Sequence, residues 1–488
     1  MFLKIFKKIK TEKIEKLIYL ITIIFLIILS FEKFNRTPII QQLGLADNIE
    51  KYNISFPDKD SSQPGFTSGY FPGVAYFIQV LKFVIPDIIL IEILLILSVV
   101  IIFLFFYLNK KIIKEIFPKK INFNNYWLLT IIYSFWLARN WVWHALELKS
   151  DIIAFSLCFL ALLIVKPHKK NIQINFLKLF SGILIIAYAF TVKQQAIFFI
   201  IGLLLYSLLN KNLFFKFFAL INILLATAIY FYFYQDENLW WFAITRHANN
   251  SYLSIGQWLR IHYAEIILII QFIIFISFSS FFNLCKIDFK SKFNYLINNL
   301  KSNVWFYVIF MCATSGLISS VGRGSNTGNT GLAIILFFPF VYIFINKFKK
   351  SVLIFLAIGI LIFEIQNVAS SLKNYIKFKN FQSYVLKLSN EEGKLILAGR
   401  ETYFAVRLLR KNNTLVSLGT IESVNKFSKK SYIENKIDSE LTSNKYDYII
   451  LTSAPIYFTL VKEKLIDKQK YKKIFTNEMG YIYKKYNY

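Results

Sequence analysis

Few residues of this chain combine a chemically useful type with a setting at the end of a long apolar run. They are Asp47, Lys149 with Asp151, Lys193 and Arg323. A carboxylate so placed could take a proton from a hydroxyl, and a lysine or arginine could hold phosphate oxygens. Asp47 stands in Leu45-Ala46-Asp47-Asn48-Ile49-Glu50-Lys51-Tyr52, after uncharged residues and before a helix-like stretch. It reads as a helix N-cap or plain surface residue, or else as a general base. Lys149-Ser150-Asp151 opens an apolar run, where Asp151 suits a helix N-terminus and Lys149 either binds phosphate or snorkels. Thr191-Val192-Lys193-Gln194-Gln195 separates two apolar runs, so its turn is tight and Lys193 lies close to membrane depth. A charge there is costly unless paired, with a lipid phosphate or with Asp151 or Asp47. In Gly322-Arg323-Gly324-Ser325-Asn326 the glycines permit close approach and Arg323 presents a planar fork. Arg246-His247 is a weaker pair in a polar loop, no cluster has zinc or calcium spacing, and no nucleophile elbow is present.

The elements that must position these groups are membrane helices. Of 488 residues, 56% are hydrophobic and 18% aromatic, with a mean hydropathy of +0.49. Apolar runs at 17–31, 88–108, 126–137, 151–165, 176–190, 196–209, 213–234, 266–284, 304–319, 332–345 and 352–365 predict about eleven spans. The connections alternate. One set is rich in lysine (Lys4 to Lys16, Lys110 to Lys120, Lys166 to Lys170, Lys211 and Lys216, Lys286 to Lys292, Lys347 to Lys350), and the other carries the residues above. The positive-inside rule then places the N-terminus in the cytoplasm and the C-terminus, with the candidate chemistry, outside. The net charge of +29 is explained by these short loops, which excludes a nucleic-acid-binding surface. The basic N-terminus and first apolar run have no small-residue cleavage site and predict an uncleaved span. Cys158, Cys285 and Cys312 form no CxxC pair and read as small buried hydrophobes.

Two domains are expected: a transmembrane domain over 1–366 and a small outer α/β domain over 367–488. The first outer loop, 32–86, should contain an interfacial helix over 71–85, with Phe71, Val74, Ala75, Ile78 and Ile85 on one face and Gln79 and Lys82 on another. Trp240, Trp241 and Trp258 bracket a second outer loop, 235–265. In the last segment, 395–398, 415–418 and 448–451 predict buried strands. Residues 473–475 and 481–483 predict a hairpin about Asn477-Glu478-Met479-Gly480. No G-x-G-x-x-G follows the first strand, so no dinucleotide site is expected.

In the order of these parts the chain resembles the GT-C superfamily of polyprenyl-phosphate-dependent membrane glycosyltransferases. The likeness is to the protein mannosyltransferase (glycosyltransferase family 39) and aminoarabinose transferase type. The resemblance rests on an outer-loop acid (Asp47), the segment Gly69-Tyr70-Phe71-Pro72-Gly73 leading into the interfacial helix, Lys149-Ser150-Asp151 opening a span, Thr191-Val192-Lys193-Gln194, and the late turn Gly322 to Asn326. It covers most of 1–366. Many members have paired acids in the first loop, whereas Asn48 follows Asp47 here, and Val192 interrupts the Thr-Lys pair.

The resemblance implies an inverting sugar transferase of a bacterial inner membrane, drawing on a polyprenyl-monophosphate sugar and a glycan, lipid or protein acceptor. Asp47 would be the base, with Glu50, Asp58, Asp60 and Asp151 as competing acids. Lys193, Arg323 and Lys149 would hold the donor phosphate, and Tyr70, Gln194, Arg246, His247 and Asn326 would line the substrate. No cofactor is needed and a metal is not required. The rival readings are a polysaccharide polymerase or ligase and a lipid-linked sugar flippase, the latter expected to carry broken helices at mid-bilayer.

Overall fold

Long uncharged runs leave the backbone no partner in lipid except itself, so they must become helices. The computed structural model describes residues 11–35, 37–52, 71–117, 123–166, 175–240, 244, 252–281, 294, 302–321, 327–399, 402–417, 445–452 and 471–486. Helices dominate: α1 (Thr11–Phe31), α2 (Thr37–Tyr52), α3 (Gly73–Lys82), α4 (Asp87–Ile116), α5 (Tyr126–Trp136), α6 (Arg139–Ala145), α7 (Ser150–Val165), α8 (Phe176–Val192), α9 (Ile197–Leu209), α10 (Leu213–Tyr234), α11 (Ile255–Phe281), α12 (Val304–Val321), α13 (Thr327–Leu336), α14 (Phe338–Ile345) and α15 (Lys350–Lys387).

Among the described residues six helices are long and apolar enough to cross a membrane, or seven if the bent pair α6 and α7 is one span. The other expected crossings include apolar helices of 10–17 residues, such as α5 and α8, which length and composition alone do not count as spans. The expected span 332–345 is two helices meeting at Phe337. The expected last span, 352–365, does not stop there. Residues 366–387 contain neither glycine nor proline, and the helix runs on to Lys387.

The chain divides into two compact units, each built from separated segments. The first comprises 1–27, 97–232 and 249–368. Within it, backbones approach closely where glycine removes a side chain: a Cβ at Gly202 would lie 2.8 Å from the Tyr307 carbonyl oxygen, and one at Gly331 would lie 2.9 Å from Trp141 Cβ. An aromatic core fills the same unit, with Phe105 and Phe106 each packed on Trp141, and Phe338 against Phe106, Tyr126 and Tyr133.

The second unit comprises 28–96, 233–248 and 369–488. Its five-stranded sheet has the order β2-β1-β3-β5-β4. The strands are β1 (Leu395–Ala398), β2 (Thr414–Ser417), β3 (Tyr448–Thr452), β4 (Tyr471–Asn477) and β5 (Gly480–Lys485). All five strands expected from the sequence are present. The three short apolar strands are parallel to one another, Leu397 lying beside both Val416 and Ile449. β5 is antiparallel to β3 and β4. In the hairpin, Asn477 Oδ1 accepts the backbone N–H groups of Met479 and Gly480 at 2.8 and 3.0 Å. A Cβ at Gly480 would fall 2.4 Å from the Leu451 carbonyl oxygen, so only glycine fits there. Parallel strands need a crossover. The one from β1 to β2 contains a helical turn, Tyr403–Val406, and a 3-10 turn, Arg407–Lys411.

Candidate functional site

The crossover between β1 and β2 brings two arginines to Asp47. Asp47 lies in the third turn of α2, so it is not an N-cap: the helix starts ten residues earlier, at Thr37. The residue is 3% exposed. Its Oδ1 accepts from Lys82 Nζ at 2.8 Å and Arg407 Nη2 at 3.2 Å, and its Oδ2 accepts from Arg407 Nε at 3.2 Å. Arg410 Nη2 is also 3.2 Å from Oδ1. Arg407, wholly buried, extends to Asp87 Oδ1 at 3.1 Å and to the Asp87 carbonyl at 3.2 Å. Arg410 reaches Glu50 Oε2 at 2.8 Å and Asp87 Oδ2 at 3.3 Å, and Lys82 also pairs with Glu50. Lys51 donates to the carbonyls of Arg410 and Asn413, which tethers α2 to the turn that bears the arginines. Three carboxylates thus meet three cations, all within the second unit. Burial by itself would raise the Asp47 carboxyl, but the charges of Arg407, Arg410 and Lys82 outweigh it and hold the group well below the ordinary carboxylate range. Burial pulls Lys82 below its ordinary value, and the attraction of Asp47 offsets this only in part.

The first unit holds a second cluster, where helices break. α6 and α7 meet at 93°. Between them Leu148 takes φ 55°, in the left-handed region that a branched side chain adopts at a cost. The turn presents Lys149 and then Asp151, the second residue of α7, near the positive end of the helix. α8 ends at Val192, Lys193 is extended, and a 3-10 turn, Gln194–Ala196, leads into α9. Asp151 Oδ1 lies 3.3 Å from Lys193 Nζ and Oδ2 lies 3.5 Å from Lys149 Nζ. Lys149 Nζ also donates to Asn329 Oδ1 at 3.3 Å. Asp151 is 3% exposed and each lysine 8%. Two buried ammonium groups therefore share one carboxylate, which is the charge balance of a site for an anion.

Of the residues picked out from the sequence, Lys149, Asp151 and Lys193 come together, and Asp47 joins Glu50 in the other cluster. Gln194 sits in the turn after Lys193, with its side-chain oxygen buried and lacking a hydrogen bond among the described residues, and its carbonyl accepting from Tyr230 Oη at 3.0 Å. Asp58, Asp60, Tyr70, Arg246, His247, Arg323 and Asn326 lie outside the described residues. Cys158 and Cys312 are buried and free, and Cys285 lies outside the described residues. Among the described residues no group of three or more His, Cys, Asp or Glu is disposed to hold a metal.

Sequence reasoning missed Asp87, Arg407 and Arg410. The i, i+3 spacing of the two arginines around Leu408 and Leu409 was the local signal, since their partners lie some 320 to 360 residues away. It also passed over His262 and Glu265, two ionisable residues on the buried stripe of α11.

No protein-family model matches this sequence, and no curated protein sequence does. Among solved structures the fold is similar to that of ArnT from Cupriavidus metallidurans. The crystal structure bound to undecaprenyl phosphate superposes with a TM-score of 0.54 at 10% identity, covering 96% of this chain and 98% of that one. The apo crystal structure gives 0.55 at 9% identity with the same coverage. The architecture, long apolar helices with a small C-terminal sheet, is therefore similar to that of ArnT and agrees with the fold class expected from the sequence.

Proposed function

We propose that this protein is a membrane glycosyltransferase that moves a sugar from a polyprenyl-phosphate carrier to an acceptor hydroxyl, with inversion, at the outer face of a bacterial inner membrane. The observation that carries this reading is the buried Lys149–Asp151–Lys193 cluster, in which two ammonium groups share one carboxylate. It is supported by a fold shared over nearly the whole chain with a protein crystallised with undecaprenyl phosphate.

In this reading Lys149 and Lys193, with Arg323, hold the donor phosphate, and their charge stabilises it as it leaves the anomeric carbon. Asp47 is the base. Its three cations keep it ionised at any physiological pH, hence in the proton-accepting form. A carboxylate so weakly basic takes the proton late, when bond formation to the sugar carbon has already made the acceptor hydroxyl acidic. Arg407, Arg410 and Lys82 are positioning residues that orient it.

The test is to follow release of free polyprenyl phosphate from radiolabelled polyprenyl-phosphate sugars by the purified protein in proteoliposomes supplied with an envelope fraction. Asp47→Asn should abolish release while expression and insertion stay intact, and an active Asp47→Asn variant would remove Asp47 from its role. One observation favours a second reading, a lipid-linked sugar transporter: the 93° break between α6 and α7 with charged residues beside it. Movement of labelled lipid across the bilayer with no release of sugar would establish that reading instead.

A further inference from the structure

α11 carries two polar groups whose presence the packing does not explain. Its outward residues Leu259, Tyr263, Ile267, Ile270 and Ile274 are exposed and apolar, as a lipid-facing surface should be. The opposite stripe, which should be apolar too, has His262 at 0% and Glu265 at 1% exposure. They are three residues apart and so share one face of the helix. Each is half satisfied. His262 Nδ1 lies 2.8 Å from Thr330 Oγ1 on α13, and Glu265 Oε1 accepts from Asn140 Nδ2 on α6. His262 Nε2 and Glu265 Oε2 are buried with no hydrogen-bond partner among the described residues. An imidazole nitrogen and a carboxylate oxygen left bare inside a helical bundle are expensive, and persist where something else completes them.

Their neighbours tell what that is. Thr330, which holds the imidazole, follows Asn329, which takes a hydrogen bond from Lys149 in the phosphate cluster. Adjacent residues of α13 therefore join Lys149, which shares Asp151 with Lys193, to His262, all inside the first unit. Trp258 lies against His262 with ring centroids 4.9 Å apart and its Nε1 committed to Ser320 Oγ at 2.9 Å. A carboxylate acceptor and an imidazole nitrogen beside an indole ring match the hydroxyl groups and C–H face of a sugar.

We propose that His262 and Glu265 form the subsite that binds hydroxyl groups of the donor's sugar, next to the cluster that binds its phosphate. Glu265 Oε2 accepts from one hydroxyl, His262 Nε2 bonds the same or an adjacent one, and Thr330 and Asn140 are positioning residues. This rests on the reading of Lys149 and Lys193 as phosphate ligands.

The experiment measures binding to the full-length protein in nanodiscs of undecaprenyl phosphate, bare or carrying glucose, galactose, mannose or a pentose. Wild type should bind at least one glycosylated lipid more tightly than the bare one. Glu265→Gln keeps the bond from Asn140 but turns the free acceptor into a donor. It and His262→Leu should each weaken that glycosylated lipid tenfold or more, leave the bare lipid within about twofold, and not lower the melting temperature. His262→Gln, which restores a polar atom near Nε2, should recover part of the loss. The subsite is overturned if wild type prefers no glycosylated lipid, if both variants bind every lipid as wild type does, or if they lose bare and glycosylated lipids equally with a fallen melting temperature. Lys149→Met and Lys193→Met should weaken both kinds of lipid. If they leave the bare lipid untouched, the phosphate reading itself fails, whatever the sugar data show.

Discussion

At the scale of single residues, charge balance decides what each cluster tolerates. Asp151 pairs with both Lys149 and Lys193, so Asp151→Asn removes a carboxylate that two buried cations share. It should cost about 3 kcal/mol of stability, read from thermal or denaturant melts in detergent. Lys193→Met leaves the pair Lys149–Asp151 and should be milder in stability, yet under the proposed function, in which Lys193 bonds the donor phosphate, it should lower transfer by roughly 10- to 100-fold. Asp47 makes a pH prediction. Its folded value is depressed, so its contribution to stability is present above the unfolded value of about 3.9 and is lost as pH falls from there through the folded one. The melting temperature of wild type should therefore drop more steeply between pH 5 and pH 3 than that of Asp47→Asn. Lys149, Asp151 and Lys193 were legible from sequence because each is a charge at the edge of an apolar run. His262 and Glu265 were not, because a polar residue near a span end is ordinary until burial shows it to be enclosed.

At the scale of elements, the breaks matter more than the helices. The trio exists because α7 begins and α8 ends in irregular backbone, which delivers three side chains that continuous helices would have spaced apart along their axes. The periodicity of the apolar runs located those breaks to within a residue or two, since Lys149-Ser150-Asp151 and Lys193-Gln194-Gln195 interrupt them. It did not reveal the 93° turn between α6 and α7, because hydrophobicity reports burial and length, not direction. The packing that fixes direction is close. Gly202→Ala would press a methyl against the Tyr307 carbonyl, and should cost about 1–3 kcal/mol in melts.

At the scale of the whole molecule, each unit is assembled from segments far apart in the chain. The second unit joins 28–96 to 369–488, so the carboxylates of the first and the arginines of the last complete one cluster. A chain ending at residue 390 would lack Arg407 and Arg410, the two cations that bridge Asp47, Glu50 and Asp87. It should insert through its upstream spans and show no transferase activity, which membrane fractionation and the donor-release assay would check together. The lysine alternation predicts an outward C-terminus. Alkaline phosphatase fused after residue 488 should be active in cells, and an inactive fusion with a fluorescent cytoplasmic counterpart would reverse the orientation.

The sequence by itself determined that this is a helical membrane protein with a small terminal sheet, and even the five strands of that sheet. Those features follow from hydrophobic period and length, which are local. It also marked Asp47, Lys149, Asp151 and Lys193 as unusual. Only the tertiary structure decided which of them meet: Asp47 with Arg407 and Arg410, Asp151 with both lysines, His262 with Thr330. The reason is physical. Burying a charge is costly enough to demand a partner, but the partner is supplied by folding, and nothing in the spacing of residues along a chain says which distant segment will bring it.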